Sequence, residues 1–427
     1  MEKLMIDGGK RLSGEIALHG AKNSVLPILS ASVLVNGVSI IHNCPDLSDV
    51  RVTVNILRYL GAKVKREGST LTVDTTGICR SNILEEYMSE LRSSIIFLGA
   101  LAARTGNACL YLPGGCDIGL RPIDLHLKGL KSLGYFVYTQ GSNVCASGED
   151  IKGTKIVLPF PSVGATENII LASVFAKGTT TVINAAKEPE ITDLINFLNK
   201  AGAKIRVDST SVITVKGVKS LHSAEHTVIS DRILATTLMS ATASCRGDVL
   251  IDNAVINDIM PTLPVFEEMG CEITCTKSSI RIKANKRPHC VRFIETMAFP
   301  GFPTDCQAPV MASLCVADGM SAIKETVFEN RFKHTEQLNL FGADINVKDR
   351  IAMINGVEKL YPACVKCTDL RGGAAVVIAA LTADGVSYIS DIKHIDRGYE
   401  RIENQLASLG ANVMRIKDEK KQTDKTE

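Results

Sequence analysis

The residue types best suited to chemistry lie in the glycine-rich segment PGGCDIGLRPIDLH at 113–126. Cys116 precedes Arg121 by five residues, so an anion held by the guanidinium can also approach the thiol. Glycines at 114, 115 and 119 allow the backbone to close over a ligand. Asp117 opposes formation of a thiolate beside it, which favours Cys116 as a proton-donating general acid.

Charged and capping residues recur where helices are predicted to begin. Helix N-termini bind anions because their N–H groups are free and their dipole end is positive. Any one of these residues alone is explained as a cap or a surface ion pair, but they recur at equivalent places along the chain. They are Lys22-Asn23, Ser48-Asp49, Arg92-Ser93, the segment 116–124, Ser162 to Gly164, 188–193, Asp231-Arg232, Asp258, Thr304-Asp305, Glu329 to Arg331, Asp369 to Arg371 and Asp396-Arg397. If these ends share one orientation, a polyanion-binding cleft is expected, lined by Lys22, Arg92, Arg121, Arg331, Arg371 and Arg397.

A short glycine signature repeats six times and defines the elements that position these residues. The glycines are Gly61, Gly134, Gly202, Gly270, Gly342 and Gly410, with spacings of 73, 68, 68, 72 and 68 residues. Each follows a helical pattern, where glycine suits the left-handed residue after a helix, and each leads into a strand-like run. Chance similarity among αβ segments is the alternative, and the near-constant spacing disfavours it.

A second repeated element precedes each signature by about 40 residues. It is a small-residue helix that is apolar on most faces, as in SSIIFLGALAA and GGAAVVIAALTA, and it is therefore expected to be buried. The pattern predicts six αβ units of about 70 residues. Three units in each of two pseudo-symmetric domains, with helices inside and sheets outside, satisfy both repeated elements.

The bulk composition limits the classes of function. The chain has 427 residues, 45% of them hydrophobic and 22% charged, and this predicts a soluble protein with two domains. A net charge of +2 disfavours nucleic acid as a partner, and no apolar run resembles a signal peptide or a membrane span. The thirteen cysteines are expected to be reduced, in a cytoplasmic protein. Cys364 and Cys367 have CxxC spacing, but no second motif completes a metal site.

Residues 1–416 resemble the UDP-N-acetylglucosamine enolpyruvyl transferase family. The matching motifs are GAKN at 20–23, LPGGCxIGxRPxDLH at 112–126, SVGAT at 162–166, NAAxEPEI at 184–191, FPTDxQA at 302–308, ETVFENRF at 325–332, DLR at 369–371 and HIDRGYERIE at 394–403. The resemblance implies an α/β protein, an inside-out α/β barrel with two pseudo-threefold domains. One domain is expected to comprise residues 22–230 and the other residues 1–21 plus 231–416, with a polar tail at 417–427.

The resemblance also implies a reaction. The 3-hydroxyl of UDP-N-acetylglucosamine attacks C2 of phosphoenolpyruvate, and the resulting tetrahedral ketal loses phosphate, which is the first committed step of peptidoglycan synthesis. Cys116 matches the family's general acid, the thiol that fosfomycin alkylates, and Asp305 matches the residue that accepts the hydroxyl proton. Lys22, Arg121 and Arg397 match phosphoenolpyruvate contacts, and Asn23, Asp369 and Arg371 match supporting residues. The implied contacts of the nucleotide sugar are Arg92, Arg121, Pro122, Ile123, Asp124, Leu125, Ser162, Val163, Gly164, Asp305 and Val327. No metal or organic cofactor is implied.

Two departures and three alternatives accompany the resemblance. Ser48 and Phe160 stand where some relatives carry lysine, so nucleotide affinity is expected to depend more on Arg92 and Arg121. A transferase acting on shikimate 3-phosphate shares the repeat but is disfavoured by the Cys116 loop. A non-catalytic paralogue that binds nucleotide sugar is disfavoured by the intact set Lys22, Cys116, Asp305 and Arg397. A nucleic-acid enzyme of similar architecture is disfavoured by the balanced charge.

Overall fold

A computed structural model describes residues 2–112 and 123–417 of the chain. The helices are α1 (Lys22–Ala31), α2 (Ser48–Leu60), α3 (Glu85–Glu90), α4 (Phe97–Thr105), α5 (Asp124–Leu133), α6 (Val163–Ser173), α7 (Pro189–Lys200), α8 (Arg232–Ser244), α9 (Ile256–Ile259), α10 (Leu263–Glu268), α11 (Thr304–Leu314), α12 (Thr335–Asn339), α13 (Leu370–Thr382) and α14 (Ile402–Ser408). Short 3-10 helices span Ser32–Leu34, Arg92–Ile96, Met260–Thr262 and Ile392–Arg397.

The strands fall between these helices in the repeating order that the sequence predicts. They are β1 (Glu2–Asp7), β2 (Ser13–Ala17), β3 (Val38–His42), β4 (Lys63–Glu67), β5 (Thr70–Asp74), β6 (Asn82–Ile83), β7 (Asn107–Tyr111), β8 (Phe136–Gln140), β9 (Asn143–Ser147), β10 (Lys155–Val157), β11 (Thr179–Ile183), β12 (Lys204–Val207), β13 (Ile213–Lys216), β14 (Ala224–Thr227), β15 (Asp248–Asp252), β16 (Glu272–Cys275), β17 (Ser279–Lys283), β18 (Ile294–Glu295), β19 (Met320–Lys324), β20 (Asp344–Lys348), β21 (Ile351–Asn355), β22 (Cys364–Lys366), β23 (Val386–Ser390) and β24 (Asn412–Lys417).

The strands form six four-stranded sheets of one design in the described part of the chain. Their orders are β14-β3-β5-β4, β6-β7-β9-β8, β10-β11-β13-β12, β2-β15-β17-β16, β18-β19-β21-β20 and β22-β23-β1-β24. In every sheet the first two strands are parallel and the other neighbours are antiparallel. In five sheets the third strand is the second strand of a β-hairpin. In the sixth sheet the N-terminal strand β1 occupies this third position instead. The two ends of the described chain are therefore joined in one sheet.

Apolar helices lie beneath the sheets and form two hydrophobic cores. One core collects residues between 25 and 228 and includes α1, α4 and α6. The other collects residues 4–18 and 233–413 and includes α8, α11 and α13, which pack on one another. The predicted arrangement of helices inside and sheets outside is present. The first core lies within the predicted domain 22–230, and the second lies within the predicted domain 1–21 plus 231–416. The exact domain boundaries stay a prediction.

All six signature glycines adopt positive φ angles, between 84° and 110°. Gly61 shows why, since it caps α2 with a left-handed backbone and its N–H donates to Arg58 at 3.0 Å. An L-residue with a Cβ is disfavoured in this conformation. The predicted helix ends are confirmed.

Two predicted helix starts are wrong. Arg331 lies in a turn that precedes α12, and Arg397 is the last residue of the 3-10 helix Ile392–Arg397. Asp391 and Arg401 both adopt positive φ, at 55° and 42°, which a regular helix does not allow. The 3-10 helix therefore begins after Asp391, and α14 begins only after Arg401. At the C-terminus, β24 includes Lys417, the first residue of the predicted polar tail.

One pair of cysteines lies close together in a sheet. Cys109 and Cys145 are register partners across β7 and β9, with Cα atoms 4.1 Å apart, and strand register brings their sulfur atoms into direct contact. The reduced state expected for the cysteines stays a prediction. Cys364 and Cys367 are free, and among the described residues no cluster of His, Cys, Asp and Glu could hold a metal ion. No helix in the described ranges is long and apolar enough to cross a membrane.

Candidate active site

Asp305 is fixed in the first turn of α11 by two buried arginines. Nη2 of Arg331 lies 2.8 Å from Oδ1, and Nη2 of Arg371 lies 3.0 Å from Oδ2. The amide of Asn23 also donates to Oδ2, at 3.4 Å. The Asp305 side chain is 26% exposed, whereas the two arginine side chains are 4% and 3% exposed. The carboxylate is therefore held in one orientation and is still reachable by a ligand.

Arg371 is itself held in place at the start of α13. Oδ1 of Asp369 caps this helix by accepting hydrogen bonds from the N–H groups of Arg371 and Gly372, at 3.0 and 3.1 Å. The Arg371 guanidinium also donates to the Tyr399 hydroxyl at 3.1 Å. Burial opposes ionisation of Asp369, but Arg331 and the other neighbouring donors outweigh it and keep its pKa below the usual value. These contacts fix the guanidinium that orients Asp305.

A second charged cluster joins Lys22, Asp49 and Arg397. Nζ of Lys22 lies 2.7 Å from Oδ2 of Asp49, and Nε of Arg397 lies 2.9 Å from Oδ1. Burial lowers the pKa of Lys22; Asp49 opposes this effect and Arg397 adds to it. Burial alone would raise the pKa of Asp49, but the two cations outweigh it and lower that pKa. Two cations share the Asp49 carboxylate, so these three groups taken together carry a net positive charge.

The crossing between the two cores places Lys22 and Asn23. The N–H of Ala21 donates to Ile229 at 2.7 Å, and the N–H of Asp231 donates to His19 at 2.9 Å. The Asp231 carboxylate then caps α8 and accepts the backbone N–H of Lys22 at 3.3 Å. The starts of α1 and α8 therefore meet, and Asn23 of α1 reaches Asp305 at the start of α11.

A second set of predicted residues gathers at the starts of α5 and α6. Ser162 caps α6 by accepting the N–H of Ala165 at 3.4 Å. A Cβ at Gly164 would lie 3.0 Å from the His126 ring, so this glycine permits close packing of the two helices. The Asn168 amide donates to Nδ1 of His126 at 3.0 Å. Burial lowers the pKa of His126 to about 4, so its ring is neutral. Asp124, Leu125 and Val163 lie in the first turns of these two helices.

Glu325 connects the segment around Val327 to the start of α11. Its Oε1 accepts the N–H groups of Val327 and Phe328 at 2.8 and 3.1 Å. Its Oε2 accepts the hydroxyl of Thr304, the neighbour of Asp305, at 2.9 Å. Val327 and Asp305 are therefore positioned by the same carboxylate.

The remaining predicted residues are placed only in part. Arg92 begins the 3-10 helix Arg92–Ile96, and Ile123 precedes α5 and packs against the first core. Cys116, Arg121 and Pro122 lie outside the described residues, and the roles predicted for them stay predictions. Sequence reasoning noted Asp49 and Asp231 only as helix-start residues. A carboxylate in a first turn is usually a cap, and local sequence carries no sign of which distant cation it meets.

Known proteins resemble this chain over nearly its whole length. The family model of EPSP synthase (3-phosphoshikimate 1-carboxyvinyltransferase) matches residues 6–406. A UDP-N-acetylglucosamine 1-carboxyvinyltransferase 2 of Caldanaerobacter subterraneus is 49% identical, over 97% of this chain and all of the relative. A UDP-N-acetylglucosamine 1-carboxyvinyltransferase of Finegoldia magna is 46% identical over 98% of this chain and all of the relative. The chain belongs to the UDP-N-acetylglucosamine 1-carboxyvinyltransferase family. The relatives are named as carboxyvinyltransferases, which are transferase enzymes. The prediction that this chain is a transferase is confirmed.

Solved structures of related transferases share the carboxyvinyltransferase fold. The enolpyruvyl transferase NikO from Streptomyces tendae superposes with a TM-score of 0.89 at 25% identity, over 97% of this chain and 98% of NikO. An EPSP synthase from Acinetobacter baumannii superposes with a TM-score of 0.75 at 17% identity, over 97% and 99% of the two chains, and shows the fold alone. The predicted inside-out α/β barrel is confirmed.

Proposed function

We propose that this enzyme transfers the enolpyruvyl group of phosphoenolpyruvate to the 3-hydroxyl of UDP-N-acetylglucosamine and releases phosphate, the first committed step of peptidoglycan synthesis. The names of relatives at 45–49% identity support the two substrates. One observation in the structure carries the proposal. An accessible carboxylate, Asp305, is held by Arg331 and Arg371 next to Asn23, the neighbour of a buried cationic cluster.

The proposed reaction proceeds by addition and elimination. The sugar hydroxyl oxygen forms a bond to C2 of phosphoenolpyruvate while Asp305 takes the hydroxyl proton and Cys116 donates a proton to C3. The tetrahedral ketal then breaks its C2–O bond to phosphate and loses a proton from C3, which restores the double bond. Asp305 is suited to the first transfer because its arginine partners fix its direction and a quarter of its surface is open.

Cationic side chains supply the charge neutralisation in this proposal. Lys22 and Arg397, with Arg121, bind the phosphate and carboxylate of phosphoenolpyruvate. Asp49 supports them, because it contacts both Lys22 and Arg397 and sets their spacing. Fixed positive groups stabilise negative charge on the leaving phosphate at little reorganisation cost.

The starts of α5 and α6 are proposed to hold the nucleotide sugar. The two helix starts lie close together, and the positive dipole end of a helix suits a diphosphate. The proposed contacts are Arg92, Arg121, Pro122, Ile123, Asp124, Leu125, Ser162, Val163, Gly164 and Val327, with Asp305 toward the sugar. Ser48 and the exposed Phe160 supply no cation, so Arg92 and Arg121 are expected to carry more of the affinity. The enolpyruvyl transfer is proposed to take place in the cytoplasm.

Identification of the product tests the proposal. The purified enzyme is incubated with UDP-N-acetylglucosamine and phosphoenolpyruvate, and the products are separated and analysed by mass spectrometry. The expected product is the nucleotide sugar carrying an enolpyruvyl ether at O3, in equal amount to the phosphate released. Unmodified nucleotide sugar after prolonged incubation would contradict the proposal.

A further inference from the structure

The motif NAAKEPEI at 184–191 is not used by the proposed reaction, yet it places a buried carboxylate, Glu190, and a half-buried one, Glu188, between the two cores. Glu188 precedes α7 and Glu190 lies in its first turn. Glu190 belongs to the segment of the first core, and its partner Arg232 begins α8 of the other. Nε and Nη2 of Arg232 donate to the two Glu190 oxygens at 3.0 and 3.2 Å. This two-point pair joins the cores at a buried location.

The same carboxylates hold Phe299 from two sides. The Arg232 guanidinium lies over the Phe299 ring, with Cζ 5.6 Å from the ring centre. Oε1 of Glu188 accepts the backbone N–H of Phe299 at 3.4 Å. The ring is therefore positioned through Glu190 and Arg232, and the backbone through Glu188.

Phe299 belongs to a tight segment that ends at the start of α11. The N–H of Met297 donates to Phe302 and that of Gly301 donates to Ala298, both at 2.9 Å. A Cβ at Gly301 would lie 2.4 Å from Cβ of Met297, so the turn is too tight to hold a side chain at that position. Pro303 follows and precedes α11, whose second residue is Asp305. Phe299 therefore lies six residues before Asp305, in a segment whose backbone is held by these hydrogen bonds.

The cluster is held at an electrostatic cost. Glu188 and Glu190 both act on the Arg232 guanidinium. Glu167 on α6 lies beside these two carboxylates, and Asp258 of α9 is also near Glu190. Burial raises the pKa of Glu188 and of Glu167. Among the described residues, Oε2 of Glu188 and Nη1 of Arg232 have no hydrogen-bond partner. A buried and incompletely paired group of this kind is costly to the stability of the fold.

We infer that Glu188, with the Glu190–Arg232 pair, is a positioning residue that sets the backbone position of Asp305 by holding the segment 297–303, while Arg331 and Arg371 orient its carboxylate. The expected fall in kcat rests on the proposed function. The expected loosening of the segment 297–303 does not depend on which substrate the enzyme uses. Glu188 does not contact the reacting atoms in this scheme.

Three variants test the inference. Glu188→Ala removes the acceptor of the Phe299 N–H, Glu188→Gln keeps a carbonyl oxygen there, and Glu358→Gln alters an exposed carboxylate as a control. Glu188→Ala is expected to lower kcat by about 10- to 100-fold, since a displacement of about 1 Å has effects of this size. The KM for each substrate should change by less than about 3-fold, and Glu188→Gln should recover most of kcat. A raised KM with unchanged kcat, or no rescue by glutamine, would overturn the inference.

Hydrogen exchange separates this inference from the proposed function. In Glu188→Ala the amides of Met297 and Gly301 should exchange at least about 10-fold faster than in the wild type, and in Glu188→Gln at nearly the wild-type rate. Unchanged exchange in Glu188→Ala would overturn the positioning role even in an active enzyme. A wild type that forms no enolpyruvyl product would contradict the proposed function, and the exchange rates would still decide whether Glu188 holds the segment. If Glu188→Ala does not fold, Phe299→Leu, which removes the ring beneath Arg232, is measured in its place with the same expectations for kcat and exchange.

Discussion

At the scale of single residues, Asp305 shows how a charged group is made available for chemistry. Each of its oxygens contacts a guanidinium, and both arginines are almost fully buried. Charge-assisted hydrogen bonds of this kind have strong directional preferences, so the carboxylate is fixed without being covered. Asp305 was identifiable from its FPTD motif and its place at a helix start. Its two arginines lie 26 and 66 residues further along the chain, and no local pattern indicates that they meet it.

Asp305→Asn should lower turnover by about 100-fold or more, the usual scale for loss of a general base. The amide keeps the size of the side chain and one acceptor oxygen, but it does not accept the hydroxyl proton. Affinity for UDP-N-acetylglucosamine, measured by calorimetry, should stay within a few-fold of the wild type. A large loss of affinity with unchanged turnover would make Asp305 a binding residue only.

Cys116 carries the second residue-scale prediction. Fosfomycin, a small anionic epoxide, should inactivate the enzyme irreversibly and modify Cys116 alone, because Arg121 is expected to concentrate an anion beside this thiol. The exposed thiols of Cys79, Cys275 and Cys364 serve as internal controls for accessibility. Burial raises the pKa of Cys44, Cys245, Cys306 and Cys315 to about 12, which makes these thiols poor nucleophiles. Peptide mass spectrometry identifies the modified thiol. An adduct on another cysteine would refute the assignment.

Replacement of Cys116 separates its reactivity toward fosfomycin from its role as an acid. Cys116→Asp should abolish alkylation and retain measurable activity, because a carboxylic acid still donates a proton. Cys116→Ser should be far more damaging, since a hydroxyl is a weak acid at neutral pH. Equal activity of the two variants would contradict the general-acid role.

At the scale of elements, the six repeats of helix and strand were predictable from the sequence. The long-range contacts of the charged residues at the helix starts were not. The six glycines and the apolar helices leave local signals, because backbone conformation and burial each constrain residue type. Arg397 illustrates the failure: HIDRGYERIE reads as a helix start, but the residue closes a 3-10 helix. Only the assembled fold brings Arg397 to Asp49, 348 residues away.

Asp49→Asn should shift the alkaline limb of the pH–rate profile toward lower pH. Burial lowers the pKa of Lys22 and Asp49 partly restores it, so loss of the carboxylate lowers that pKa further. Lys22 then loses its proton, and its anion-binding charge, at a lower pH. The measurement is kcat/KM for phosphoenolpyruvate against pH. Asp46→Asn, which alters an exposed pair with Arg51 near the start of α2, is the matched control and should leave the profile in place. A shift to higher pH in Asp49→Asn would contradict this account.

At the scale of the whole molecule, strand β1 closes the architecture by entering the sheet of the last repeat. It pairs with both β23 and β24, and its Leu4 side chain is fully buried in the second core. Leu4→Ala should lower the free energy of unfolding by about 2–5 kcal/mol, the range for a buried leucine that leaves a cavity. Met414→Ala on the neighbouring strand, where the side chain is 48% exposed, should change it by less than about 0.5 kcal/mol. Equal effects in denaturant titrations would show that β1 is not part of the cooperative fold.

Acceptor-dependent release of phosphate from phosphoenolpyruvate is the most direct test of the central claim. The enzyme is mixed with phosphoenolpyruvate alone, with added UDP-N-acetylglucosamine, and with added shikimate 3-phosphate, and phosphate is followed over time. Release is predicted only with the nucleotide sugar, because relatives at 45–49% identity carry that activity in their names and this chain retains Lys22, Asp305 and Arg397. Release that depends on shikimate 3-phosphate, or no release with the nucleotide sugar, would contradict the account.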